Sequence, residues 1–175
     1  MFLKRDAQTF LAVIETNKGI IYKIANSYCR IENNRKDLIQ EIIIHLWLSF
    51  NNYDEKYKLT TWMYRIALNV SISFYRKENR REEINQPFPD EILYLHEEKN
   101  PGESQAALDQ LYGFIKELKE IDRAIILLYL EGNSQQEMAE ILGLSMTNIS
   151  TKISRIKQQL KNKFSGLKIN SYGRQ

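Results

Sequence analysis

Between Ser134 and Leu160 the sequence carries polar and basic side chains of the kinds that touch nucleic-acid bases. Asn148, Ser150, Thr151, Lys152, Ser154 and Arg155 stand apart from an apolar stripe of Ile149, Ile153, Ile156 and Leu160, spaced by 4, 3 and 4. Just upstream, Ser134-x-x-Glu137 is a capping box that opens a short helix with Met138, Ile141 and Leu142 on one face. Ala139 is small where two helices would cross, Gly143 suits a left-handed turn, Leu144 plugs the core and Ser145 caps the next helix. The set spells a helix-turn-helix rather than an ordinary helical hairpin. In that motif, exposed residues near the start of the second helix reach base edges in the major groove, here Asn148, Ser150, Thr151, Ser154 and Arg155. The guanidinium of Arg155 has the fork that fits guanine. Lys152, Lys157 and Lys161 suit phosphates, which add affinity without sequence choice.

Nothing comparable speaks for catalysis. No nucleophile–base pair, phosphate-binding glycine loop or carboxylate dyad stands out, so no catalytic residue and no cofactor is expected. Cys29 is single, and His45 and His96 are the only histidines, so neither a disulfide nor a zinc or other metal site is expected. Apolar runs such as Ile42–Ile44 and Ala124–Leu128 are far shorter than the roughly 20 residues that span a bilayer. Charge at Lys4, Arg5 and Asp6 interrupts any export signal, which points to the cytoplasm and to no membrane insertion.

The elements that must carry these residues read as helices throughout. With 175 residues, 43% hydrophobic and 27% charged, the chain has the composition of a globular protein, and 7 Gly with 3 Pro are too few for a turn-rich β-sandwich. Phe10, Leu11, Ile14 and then Ile20, Ile21, Ile24, Ala25 and Tyr28 form apolar stripes, with a break between two helices expected at Asn17-Lys18-Gly19. A helix over Arg35–Phe50 follows from Leu38, Ile42 and Leu46, then a loop over Asn51–Lys56. Thr60 or Thr61 is the expected cap of a helix through Trp62, Ile66, Ala67, Val70 and Phe74 that ends in Arg76–Arg81, with Trp62 in the core. Residues 82–102 hold all three prolines and no sustained period, the composition of a linker. Helices resume near Glu103 and again over Ile121–Leu130.

Charge is segregated. Residues 1–81 carry net +6, residues 82–120 net −7, residues 121–144 net −3 and residues 145–175 net +7, inside a total of +3. Two basic blocks separated by an acidic one suggest two contacts with a polyanion.

Asp37-Leu38-Ile39-Gln40-Glu41 ahead of Trp47, then Trp62-Met63-Tyr64-Arg65-Ile66-Ala67-Leu68-Asn69 and Arg76-Lys77, resembles region two of bacterial RNA polymerase sigma factors. Glu131-Gly132-x-Ser134-x-x-Glu137-Met138-Ala139 with Leu142-Gly143-Leu144-Ser145 resembles their region four. A short chain with both regions and only a brief linker resembles the extracytoplasmic-function (ECF) class of the sigma-70 family. The resemblance implies an all-α fold of two small helical domains joined by a linker: residues 1–81 for polymerase and −10 element binding, 82–102 as the acidic strap, and 103–175 with the helix-turn-helix for the −35 element. It implies core RNA polymerase as partner, through the clamp and flap of the enzyme, together with promoter DNA and an anti-sigma factor.

By the same resemblance, Asp37, Gln40 and Glu41 contact the clamp of the largest polymerase subunit. Tyr53 and Asn69 form a pocket for a flipped base, since an aromatic face and an amide suit an unstacked base. Arg65, Arg76, Lys77, Arg80 and Arg81 line the phosphates of the −10 element. The loop reads Asp54-Glu55-Lys56-Tyr57-Lys58 in place of the common Arg-Gly type of run, and Ser150-Thr151-Lys152 is poorer in arginine than many relatives. The linker's acidity fits a segment lying in a nucleic-acid channel, and its 21 residues reach about 70 Å, enough to join two promoter elements. The competing reading is a stand-alone helix-turn-helix regulator that binds duplex DNA as a dimer.

Overall fold

The computed structural model describes residues 6–29, 31–84 and 103–172. Among them are seven helices: α1 (Ala7–Tyr28), α2 (Glu32–Phe50), α3 (Leu59–Ile84), α4 (Glu103–Glu117), α5 (Glu120–Leu130), α6 (Gln135–Leu142) and α7 (Met146–Tyr172). The all-α expectation holds for this part of the chain, whereas most of the acidic strap lies outside the described residues.

Helices α1, α2 and α3 pack on one another as an N-terminal bundle. Asp6 caps α1 by accepting the N–H of Thr9 at 2.8 Å. The expected break at Asn17-Lys18-Gly19 does not occur, and α1 runs through it. The buried stripe of Phe10, Val13, Ile21, Ile24 and Tyr28 keeps its helical period across this stretch, and the side chain of Asn17 donates to the Val13 carbonyl at 2.9 Å. A mid-helix glycine costs about 1 kcal/mol, less than the burial on either side of it returns.

Helix α2 buries Leu38, Ile42, Leu46 and Phe50. It starts at Glu32, three residues before the expected start, because the N–H of Arg35 reaches the Ile31 carbonyl at 2.9 Å. Helix α3 also starts early. The Lys58 carbonyl accepts the N–H of Trp62 at 3.1 Å, so Thr60 and Thr61 sit within the first turn instead of capping it. Its C-terminal end continues to Ile84, past the expected stop at Arg81. Trp62 is half-buried against the core, with Phe50 at 6.2 Å and Tyr53 at 5.2 Å between ring centroids.

The C-terminal bundle packs α5, α6 and α7 around Ala124, Ile125, Leu128, Met138, Ile141, Ile149, Ile153 and Ile156, with α4 laid against α5 and α7 through Ile115. The two bundles are in contact: α1 meets α4 and α5, and α3 meets α5 and α6.

Candidate nucleic-acid interface

The helix-turn-helix is built as its sequence predicts. The N–H of Glu137 donates to Ser134 Oγ at 3.2 Å, and the Ser134 N–H donates back to Glu137 Oε2 at 2.9 Å, which satisfies two orphan donors at the start of α6. Gly143 ends α6 at φ 66°, ψ 33°, a left-handed conformation that an L side chain enters only with strain. Ser145 Oγ then accepts the N–H of Asn148 at 3.2 Å and starts α7.

On α7, Ile149, Ile153 and Ile156 are buried, while Asn148, Ser150, Thr151, Ser154 and Arg155 are exposed. These candidate base readers therefore share the solvent side of one helix. Thr151 is partly committed, since its hydroxyl donates to the Thr147 carbonyl at 2.9 Å. Lys152 stands apart from the others: it is half-buried and its ammonium meets Asp122 of α5 at 2.6 Å. Lys157 also leans back on its own bundle, donating to the Tyr129 hydroxyl at 2.7 Å above the Tyr129 ring.

The second candidate surface lies at the start of α3. The ring of Tyr53 is buried beside Trp62, and its hydroxyl donates to the Tyr57 carbonyl at 2.6 Å, which folds the loop into a compact arch. Asp54 Oδ1 accepts the N–H of Lys56 at 3.1 Å and tightens the same arch. A cleft of about 110 Å³ opens there, lined by Asn52, Tyr53, Tyr57, Thr61, Trp62 and Arg65, among others. Arg65 holds its guanidinium over the Tyr57 ring at 5.4 Å. Asn69 is exposed one turn further along the same side of α3 as Arg65, outside the cleft lining. The structure thus brings Tyr53 and Arg65 together and leaves Asn69 beside them.

Two of the basic residues reach across to the other bundle. Arg65 donates to the Glu140 carbonyl at 2.6 Å, and Arg76 pairs with Glu120 at 2.8 Å. Lys77 and Arg80 are exposed, and the side chain of Arg81 lies outside the described residues. Lys58, just ahead of α3, meets Glu137 at 2.6 Å, and Lys23 meets Glu131 at 2.8 Å. Hydrogen bonds from Lys58 and from Ser134 hold the Glu137 carboxyl at about 2, well below its ordinary 4.5.

Sequence reasoning passed over the residue at the centre of this contact. Arg123 is only 2% exposed. It donates to the carbonyls of Ser27, Lys116 and Leu118, and it lies over the rings of Tyr28 and Tyr75 at 5.0 and 4.7 Å. Those carbonyls lie at the C-terminal ends of α1 and α4, where helix dipoles present negative charge, so two helix ends help to solvate the buried cation. The Tyr28 hydroxyl donates to the Glu120 carbonyl at 2.5 Å alongside it. The available signal was an arginine inside Ile121–Leu128, the most apolar run of the C-terminal half.

A third surface runs along α2. Asp37, Gln40 and Glu41 are exposed, and the same side continues as Ile44, Trp47 and Leu48, which are 56%, 45% and 66% exposed. It lies opposite the buried Leu38–Ile42–Leu46–Phe50 stripe. Ile44 and Leu48 were absent from the sequence-based site, although apolar residues on the far side of an apolar stripe are the signal that marks them.

Comparison with known proteins decides among the readings. The family model for sigma-70 region 2 matches residues 13–81, and that for sigma-70 region 4 matches residues 108–160. The ECF RNA polymerase sigma factor SigX of Bacillus subtilis (strain 168) is 30% identical over 160 residues, covering 82% of this chain and 77% of that protein. The chain belongs to the ECF class of sigma-70 family sigma factors. SigW of the same organism, also an ECF sigma factor, is 25% identical over 94% of this chain and 93% of its own. The fold agrees as well: the sigma factor RpoE, solved in complex with the anti-sigma factor NepR from Bartonella quintana, superposes with a TM-score of 0.65 over 90% of this chain and 95% of that one, at 19% identity.

As a sigma factor, the chain binds core RNA polymerase and promoter DNA and serves in transcription initiation. The α1–α3 bundle is its region 2 and the helix-turn-helix bundle its region 4. A stand-alone regulator is disfavoured, since it would have no use for region 2. No helix among the described residues of the sigma factor is long and apolar enough to cross a membrane.

Proposed function

We propose that this sigma factor works as two DNA-reading units and a polymerase-docking face, acting in the cytoplasm without catalysis of its own. Residues 1–81 form the −10 and polymerase unit, residues 82–102 the acidic strap through the polymerase channel, and residues 103–175 the −35 unit, which also meets the polymerase flap. The observation that carries the reading is the α2 surface, where the exposed acids Asp37 and Glu41 and the amide of Gln40 adjoin the exposed apolar side chains Ile44, Trp47 and Leu48. An exposed apolar row rimmed by charge is a protein-binding surface, and duplex DNA would gain nothing from it. Its acids suit the basic coiled coil of a polymerase clamp.

In the promoter complex, Arg155 and its neighbours Asn148, Ser150, Thr151 and Ser154 read the −35 element, with Lys152 on a phosphate once it leaves Asp122. At the −10 element the cleft beside Tyr53 and Trp62 takes an unstacked base. Asn69 offers its amide to a base edge, and Arg65, Arg76 and Lys77 hold the phosphates. An anti-sigma factor is the natural inhibitor, by likeness to RpoE, which was solved with one.

The test is direct. Purified chain mixed with core polymerase converts it to promoter-specific initiation, and Leu48→Asp with Ile44→Asp abolishes that conversion by preventing assembly. If the doubly substituted chain still assembles and initiates normally, α2 is not the docking face.

A further inference from the structure

We propose that a cavity walled by α1, α3, α4 and α5 is a binding site for a small amphipathic carboxylic acid, one aromatic ring or short aliphatic chain bearing a single carboxylate. The cavity measures about 270 Å³. That is near the low end of the roughly 300–1,000 Å³ of small-molecule sites. It admits one ring with a short chain, and it is too small for a helix, which is about 10–12 Å across. None of its lining residues belongs to the base-reading, phosphate-holding or polymerase-docking sets, so the site is separate from the DNA and polymerase surfaces.

One part of the lining is apolar. Ile24 of α1 is buried and Leu127 of α5 is half-buried, and both face the cavity. Leu130 and Tyr112 flank it and are 48% and 49% exposed, so the cavity opens to solvent beside them. An apolar body with a few convergent polar groups is the make-up of a site that orients a small ligand.

The polar groups fix which ligand it is. Lys23 holds both oxygens of Glu131 at 2.8 Å, and the Tyr64 hydroxyl stands 3.5 Å from the same carboxylate. Burial and the neighbouring Glu131 charge push the Tyr64 hydroxyl up to about 12, so it keeps its proton and remains a donor at neutral pH. With Lys116, the lining carries two cations against one anion, a net charge of 2 − 1 = +1. Arg123 stands behind the same wall, because its guanidinium donates to the carbonyls of Ser27 and Lys116, two residues of the lining. An entering carboxylate thus meets ammonium and phenol donors and an excess of positive charge. An amine meets that excess as repulsion, and a neutral alcohol gains nothing from it. Bound there, the acid touches both bundles and stabilises the arrangement that holds them by mass action.

The experiment uses the full chain. Ligand-observed NMR titration compares probes of one shape: phenylpropionate, phenylpropanol and phenylpropylamine. The acid is expected to bind about tenfold tighter than the alcohol or the amine, in keeping with one charge-assisted hydrogen bond. Lys116→Ala is expected to weaken the acid to the level of the alcohol. Leu130→Trp, a larger ring at an exposed edge of the cavity, is expected to abolish binding by filling it. The control Lys36→Ala, on an exposed lysine of α2, is expected to bind the acid as the wild type does.

Equal affinity for acid, alcohol and amine would overturn the site, as would a preference for the amine or no binding of the acid. An acid affinity unchanged by Lys116→Ala, or by a folded Leu130→Trp, would overturn it too. Circular dichroism shows whether each variant keeps its helices, and if Leu130→Trp loses them, Lys116→Ala and the probe series decide.

Discussion

Lys58 and Glu137 are 79 positions apart in the chain, yet the ammonium of one lies 2.6 Å from the carboxylate of the other. The same carboxylate accepts the Ser134 N–H at 2.9 Å and so closes the cap of the helix-turn-helix. One side chain therefore serves the start of α6 and the contact between the two bundles.

Glu137 makes that joint role visible in a pH profile. Its folded-state value, about 2, lies below the ordinary 4.5, so the charged form favours the native state. The sign follows: its contribution is complete above pH 4.5 and is lost as the pH falls toward 2. Thermal melting should show Glu137→Gln less stable than the wild type at neutral pH, with the two curves converging in that acid window. A pH-independent gap would mean that the charge of Glu137 contributes nothing.

Arg123→Ala should destabilise the chain by about 2–4 kcal/mol, because it strands the carbonyls of Ser27, Lys116 and Leu118 and uncovers Tyr28 and Tyr75. The loss concerns the seam between the bundles, so the variant should melt in two transitions, one for each bundle, in differential scanning calorimetry. A single transition at the wild-type temperature would show that Arg123 ties nothing together.

Asn69→Ala should slow promoter opening while leaving assembly with core polymerase intact. Its side chain is exposed on α3, outside the buried core, so its removal leaves the bundle standing. Permanganate footprinting of the −10 region gives the readout. Unchanged reactivity would remove Asn69 from the DNA-opening set.

Arg155→Ala should relax discrimination at one upstream base position by about 1–3 kcal/mol, as expected for an exposed recognition-helix arginine that contacts a base edge. Competition between single-base variants of the upstream element measures it. A uniform weakening across all sequences would assign Arg155 to a phosphate instead.

Gly143→Ala should cost about 1 kcal/mol, since φ 66° penalises any L side chain even though an added methyl would meet nothing within 4 Å. Chemical denaturation of the chain reads it, and an unchanged midpoint would mean that the turn relaxes without strain.

Local features of this sigma factor are legible in its sequence. The capping box at Ser134, the left-handed turn at Gly143 and the isoleucine stripe of α7 are short-range patterns, set by backbone hydrogen bonding and helical period, and they occur where the spacing places them. Helix ends were less legible. The continuity of α1 through Gly19 and the early start of α3 at Leu59 depend on burial elsewhere and on a single backbone hydrogen bond, which outweigh local propensity. The exposed residues of α7 followed from periodicity, whereas the tying of Lys152 to Asp122 needed the packing of α7 on α5. What the tertiary structure alone decided is the meeting of the bundles. Charge by segment showed a basic block and an acidic one, but only their placement sets Glu120, Glu131 and Glu137 opposite Arg76, Lys23 and Lys58, and only burial between two helix ends makes Arg123 a structural cation. Such contacts span many tens of residues, and no local rule of sequence encodes a partner so distant along the chain.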